Sequence, residues 1–273
     1  MNSGEAVQEA VSEDRRAPAR SQAVGPDVSL TELQLDAVRI LRLLSAGEVE
    51  VEGLIPWSSN ATLLATVRDG DLSALAIYKP QRGERPLWDF PHGTLGKREV
   101  AAYLVDEALG WGLIPPTVIR GGPYGPGSLQ LFIHAREEEH FFTIQGDPAY
   151  ARDLQRLAAL DVIVNNADRK SGHCLLDQGG RLWAIDNALT FHSEPKLRTV
   201  IWDYADQELP ADVLSDLQAL NGALAKGSFL VEAMERLLSS EELAALCRRL
   251  RRLIRSGRYP MPGPGRVVPW PLI

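Results

Sequence analysis

The segments NNADRKSGH (165–173) and LWAID (182–186) determine which fold the sequence predicts. The first is a polar loop that follows a helical apolar pattern, and the second is an apolar strand that ends on an acid. Asp168 and Asp186 are 186 − 168 = 18 residues apart, and the hairpin predicted between them would bring them together. Converging carboxylates repel each other unless a cation is present. The pair therefore indicates either a Mg²⁺ site that also uses phosphate oxygens or two ordinary turn acids.

A second pair of candidate residues lies earlier in the chain. Lys79 closes a predicted strand, 72–79, that is apolar on both faces and should be internal to a sheet. A lysine there must reach solvent or meet an anion. Glu99, expected in the first turn of a helix over 97–109, offers a carboxylate. A strand lysine followed by an early helix glutamate is the order by which kinases orient the lysine on nucleotide phosphates.

The patterning divides the chain into three parts. Residues 1–28 lack large apolar side chains apart from isolated valines and are expected to be a disordered tail. Residues 29–134 combine a helix that starts at a capping box on Ser29 with several short strands, the last of them expected over 128–134, and residues 135–273 are mainly helical. This layout predicts an α+β fold with two lobes, a strand-rich N-lobe and a helical C-lobe.

Composition narrows the function classes. The chain has 273 residues and a net charge of −7, which argues against nucleic acid as a partner. Its two cysteines, Cys174 and Cys247, favour a reducing compartment. The sequence has no secretory leader pattern and no apolar run long enough for a membrane span, so we expect a cytoplasmic protein without integral membrane association. Neither G-x-x-x-x-G-K-[ST] nor G-x-G-x-x-G occurs.

The loop 165–173, the sequence AIDN at 184–187 and the sequence AIYKP at 76–80 resemble conserved segments of one kinase group. They are similar to the catalytic, metal-binding and nucleotide-lysine segments of phosphatidylinositol 3-/4-kinase-like proteins and the related HipA-type kinases. The likeness spans roughly residues 48–200 and is strongest to an uncharacterised actinobacterial branch. It implies a protein-kinase-like fold with ATP between the two lobes.

The resemblance also implies a role for each matching residue. Lys79 would bind the α/β-phosphates with Glu99 as its partner, and Asp168 would be the catalytic base. Lys170 would stabilise charge on the transferred phosphoryl group. Asp186 and His173 would hold Mg²⁺ or Mn²⁺. The phosphate-covering turn would contain Ser58, Ser59 and Asn60, and the hinge that contacts adenine would fall at 131–134, around Ile133.

Two departures from the family pattern leave the activity open. His173 stands where kinases place a metal-binding asparagine, and Lys170 replaces a histidine. Histidine favours softer ions such as Mn²⁺. Three functions remain: an ATP-dependent phosphotransferase acting on an unidentified protein or small molecule, a nucleotide-binding pseudokinase, and an adenylyl transferase.

Overall fold

The computed structural model describes residues 37–56 and 60–273. The predicted tail, the capping box at Ser29 and the turn residues Ser58 and Ser59 lie outside these ranges. The strands are β1 Glu48–Leu54, β2 Leu63–Asp69, β3 Leu72–Pro80, β4 Thr117–Gly122, β5 Gly125–Leu131, β6 Cys174–Leu176 and β7 Leu182–Ala184. The helices are α1 Ala37–Ala46, α2 Leu95–Leu109, α3 Phe141–Ile144, α4 Ala151–Val164, α5 Ala211–Ala223, α6 Phe229–Glu235 and α7 Ser240–Ser256.

Strands β1 to β5 form one antiparallel sheet in the order β1-β2-β3-β5-β4. Strand β3 is therefore internal, as its apolar faces predict. The register between β3 and β5 places Lys79, near the end of β3, opposite Ser128. Helix α1 packs on this sheet through Leu43 and Leu44, both of which are buried.

The second half is built from helices around the short β6–β7 hairpin. The stripe predicted on α4 is buried, with Leu154, Leu157 and Leu160 each almost inaccessible to solvent. These side chains share one core with α5, α7 and the inner face of α2. The α+β architecture with a strand-rich first part and a helical second part is thus confirmed. Among the described residues, no helix combines the length and apolarity needed to cross a membrane.

Some predicted element bounds were wrong, among them the start of α2, the end of β5 and the end of β7, which lies at Ala184 and not at Asp186. Helix α2 begins at Leu95 rather than residue 97, so Glu99 lies in its second turn and not its first. The earlier start is stabilised by Glu84, whose carboxylate accepts the backbone N–H groups of Gly93 and Gly96 at 2.8 and 3.5 Å.

Strand β5 ends at Leu131, although the pattern predicted a strand through 134. After this point the chain leaves the sheet and approaches the helical part, where the Arg136 N–H donates to Leu176 of β6 at 2.8 Å. Residues 132–136 therefore connect the two parts and contain the predicted hinge residue Ile133.

Helix α2 is tied to the β6–β7 hairpin through Asp106. Its carboxylate accepts the Ile114 N–H at 2.8 Å, and the neighbouring Leu113 carbonyl accepts the Ala184 N–H at 2.7 Å. Burial raises the pKa of Asp106 to about 7, although the Ile114 N–H opposes the shift.

This raised pKa predicts a pH-dependent stability. Between about pH 4 and 7 the folded state keeps the Asp106 proton that the unfolded chain releases, so this residue's contribution to stability falls as pH rises through that window. Replacing Asp106 with Asn removes the titration, so the stability of Asp106→Asn relative to wild type should increase from pH 5 to pH 8 in urea unfolding. A relative stability that is the same at both pH values would contradict the assignment, and Asp203→Asn, at an exposed position, is the control.

Candidate active site

A cavity of about 410 Å³ lies between the sheet and the helical part. Of the residues predicted from sequence, the cavity wall contains Lys79, Glu99, His173, Asp186, Lys170, Asn60 and Ile133. Elements far apart in the chain therefore meet at one cleft, as the resemblance requires. Apolar side chains from both parts complete the wall: Ile55, Ile77, Leu131, Leu175 and Ile185.

The Lys79 ammonium is held between two carboxylates. Its Nζ lies 2.5 Å from Glu99 Oε1 and 3.0 Å from Asp186 Oδ1. Burial disfavours the charged amine, but the attraction of Asp186 and Glu99 outweighs burial and raises the pKa of Lys79 above its ordinary value. Glu99 is 1% exposed, and its second oxygen accepts from the Ser128 hydroxyl at 2.7 Å. Lys79 is therefore a fixed positive charge on the cleft wall.

Asp186 faces the open cleft. Its side chain is 41% exposed, and its backbone is left-handed with φ 55°, a conformation that aspartate tolerates better than most residues. The ammonium of Lys79 holds the pKa of Asp186 well below its usual range, so this carboxylate is ionised at neutral pH. Its Oδ2 lies 3.4 Å from Nε2 of His173.

His173 closes a short 3₁₀ turn, Ser171–His173, just before β6. Burial lowers the pKa of His173 to about 4, despite the opposing attraction of Asp186. The ring is therefore neutral at pH 7. Its Nδ1 accepts a long hydrogen bond, 3.4 Å, from the Lys170 N–H, which leaves the ring proton on Nε2, beside Asp186.

Asp168 lies beside the cavity rather than in its wall. Its Oδ2 is 3.4 Å from Lys170 Nζ, and its N–H donates to the side chain of Asn166 at 2.9 Å. Burial raises the pKa of Asp168 above its ordinary value, although Lys170 counteracts the shift. A carboxylate of raised pKa next to a lysine is suited to accept a proton.

Both acid-bearing segments are attached to one buried guanidinium, that of Arg169. It binds the Asp161 carboxylate at 3.0 to 3.1 Å, the Ile185 carbonyl at 2.8 Å and the Asn187 side chain at 2.6 Å. Arg169 follows Asp168, whereas Ile185 and Asn187 flank Asp186. The relative position of the two acids is thus fixed from inside the helical part.

Sequence reasoning missed several residues of this site. Ser128 was detectable, because it and Gln130 are polar positions on one face of an otherwise apolar strand, and both line the cavity. Asp161 was detectable as a charge within the buried stripe of α4, which demands a partner. The cavity-lining position of Glu84 carried no such signal. Asn60 lines the cavity, but its side-chain oxygen accepts from the Arg85 N–H at 2.9 Å.

The donors suit a divalent cation that is only partly held by protein. The ionised Asp186 carboxylate is a ligand of the type that Mg²⁺ and Mn²⁺ prefer. The neutral ring of His173 lies beside it, with its protonated Nε2 directed at the carboxylate, and would have to release that proton to coordinate a metal. Within residues 37–56 and 60–273, no three His, Cys, Asp or Glu side chains form a complete metal cage. Phosphate oxygens and water would have to supply the remaining ligands, as is usual for Mg²⁺.

No protein-family model matches the chain. The chain is similar to a curated protein, Rv2133c of Mycobacterium tuberculosis. The two sequences are 38% identical over an alignment that covers 84% of this chain and 94% of that protein. This chain belongs to the same family as Rv2133c. That relative's name states no activity, so the narrower likeness to phosphatidylinositol 3-/4-kinases and HipA-type kinases stays a prediction.

The fold of this chain resembles that of a solved kinase structure. A crystal structure of the Golgi casein kinase with Mn/ADP bound matches with a TM-score of 0.54 at 15% identity, covering 80% of this chain and 74% of that one. The Helicobacter pylori proinflammatory kinase CtkA matches at 10% identity with a TM-score of 0.47, covering 79% of this chain and 94% of that one. The first match shows that this chain has a kinase-like fold.

The buried imidazole gives a direct test of the site's electrostatics. The ring resonances of His173 should titrate with a midpoint near pH 4 in NMR spectra, because burial penalises the imidazolium. The variant His173→Asn assigns the signal by removing it. A midpoint near 6.5, the value of an unperturbed histidine, would contradict the packing described for this residue.

Proposed function

We propose that this protein is an ATP-dependent phosphotransferase that uses Mg²⁺ or Mn²⁺. The supporting observation is the Lys79 ammonium, held by Glu99 and Asp186 at the wall of an open cleft between the sheet and the helical part. In this proposal residues 29–134 are the nucleotide-binding N-lobe and 135–273 the catalytic C-lobe.

The cleft wall contains both apolar and charged side chains. The apolar side chains Ile77, Leu131 and Ile185 suit the faces of an adenine ring near the hinge at Ile133. Lys79 and Lys170 supply positive charge for the phosphates. A divalent cation held by Asp186, with His173 beside it, would neutralise charge on the β- and γ-phosphates.

Asp168 is the proposed base. It accepts the proton of an acceptor hydroxyl while that oxygen forms a bond to the γ-phosphorus, and the bond from the γ-phosphorus to the β,γ-bridging oxygen breaks to release ADP. Lys170, 3.4 Å from Asp168, stabilises negative charge on the transferred group. Because burial raises the pKa of Asp168, its basic form is lost at a higher pH than for an exposed aspartate.

His173 favours a second candidate, a nucleotide-binding protein with little turnover. The site lacks asparagine at the kinase metal position, and the Nε2 proton of His173 faces Asp186 in the arrangement described above. Adenylyl transfer would use the same pocket with ATP in the reverse orientation.

Labelled ATP distinguishes these reactions. With Mn²⁺ present, wild type should release or transfer label from γ-labelled ATP and not from α-labelled ATP. Asp168→Ala should reduce that turnover by about 10³-fold, within the range for loss of a general base, while ATP still binds. The matched control Asp203→Ala removes an exposed acid outside the cavity wall and should behave as wild type.

The other outcomes separate the alternatives. Transfer of α-label would identify an adenylyl transferase, and binding without release of either label would identify a pseudokinase. Full activity of Asp168→Ala would contradict the assigned role of Asp168.

A further inference from the structure

Arg98 of helix α2 is a buried cation whose contacts reach well beyond its own helix. Its side chain is 1% exposed and lies with its guanidinium carbon 4.9 Å from the centre of the Phe90 ring. Its Nε donates to the Thr94 hydroxyl at 3.2 Å, and Nη1 donates to the Thr190 carbonyl at 2.6 Å. Its Nη2 forms an ion pair with Glu242.

These partners belong to two separate pieces of the helical part. Thr190 lies four residues after Asp186, on the segment that leaves the cleft. Glu242 lies in the first turn of α7, where its second oxygen accepts the Ser239 N–H at 2.9 Å and completes a capping box. One guanidinium therefore joins α2 to the start of α7 and to the Asp186 segment.

The next residue on α2 is Glu99, which faces the sheet. Its two oxygens contact Lys79 and Ser128, so the two neighbouring residues hold the helix from both sides. We propose that Arg98 is a positioning residue that fixes α2 at the depth and rotation at which Glu99 meets Lys79. This inference rests on the proposed nucleotide site, because Lys79 is there the phosphate ligand.

The position of Glu99 also affects Asp186. Lys79 is shared by both carboxylates, at 2.5 Å from Glu99 and 3.0 Å from Asp186. If α2 shifted and Glu99 withdrew, Asp186 would be left as the sole acidic partner of Lys79 in the described cleft, and the lysine would compete with a cation for it. Loss of a contact that holds Arg98 in place, such as its ion pair with Glu242, should therefore weaken metal-dependent nucleotide binding.

Glu242→Gln is the sharpest variant for this test. Ser239 and Arg98 contact different oxygens of Glu242, so in glutamine one of these two donors faces an NH2 group, and the charge that pairs with Arg98 is lost. We expect Glu242→Gln to weaken Mn²⁺-ATP binding at least 10-fold in fluorescence titrations with a labelled ATP analogue. Ser239→Ala is the matched control, because it removes the hydroxyl that caps α7 and leaves the Arg98 contact in place. It should lower thermal stability without changing nucleotide affinity.

A double variant tests whether the effect passes through Glu99. Combined with Glu99→Gln, the Glu242→Gln change should add less than 2-fold to the loss of affinity, because both act on one interaction. Equal loss in Ser239→Ala, or full additivity with Glu99→Gln, would overturn the proposal.

A readout without nucleotide separates this inference from the proposed function. In the free protein, Glu242→Gln should accelerate amide hydrogen exchange across α2 at least 10-fold, whereas Ser239→Ala should leave α2 unchanged. Unchanged exchange in Glu242→Gln would refute the positioning role even if ATP binds. Failure of wild type to bind ATP, with the exchange result as expected, would refute the nucleotide site and leave Arg98 as the residue that fixes α2.

Discussion

The site depends on the buried guanidinium of Arg169. Its fork geometry lets one side chain satisfy the Asp161 carboxylate, the Ile185 carbonyl and the Asn187 amide at once. Both Arg169 and Asp161 are inaccessible to solvent, so loss of either would leave an uncompensated buried charge, at a cost of about 3–5 kcal/mol. This network connects the segment that carries Asp168 to the segment that carries Asp186.

A second set of charges lies opposite this network. Lys79 and Glu99 are presented by the sheet and α2, and Asp186 is presented by the helical part, so the ion pair from Lys79 to Asp186 spans the cleft. The pair keeps Asp186 ionised and Lys79 protonated, and burial keeps His173 neutral. The cleft thus holds cationic and anionic groups side by side, which suits a metal-bound polyphosphate better than a simple anion or cation.

Periodicity and turn chemistry were enough to predict most elements, and the family resemblance implied that Lys79, Glu99 and Asp186 meet in one cleft. The sequence could not place the start of α2, because the backbone amides there are satisfied by Glu84, eleven residues before Leu95. It also could not predict that β5 would leave the sheet after Leu131, because that departure depends on pairing with β6, which is distant in the chain. Contacts of this kind are set by tertiary packing, which overrides local preference.

The proposed function depends most directly on Asp186, which would recruit a divalent cation to ATP in this cleft. Isothermal titration calorimetry of ATP, with and without Mn²⁺, tests it directly in wild type and Asp186→Ala. We expect Mn²⁺ to tighten ATP binding at least 10-fold in wild type and to have no effect on the ATP affinity of Asp186→Ala. An equal gain from Mn²⁺ in both proteins, or no ATP binding by wild type under either condition, would contradict it.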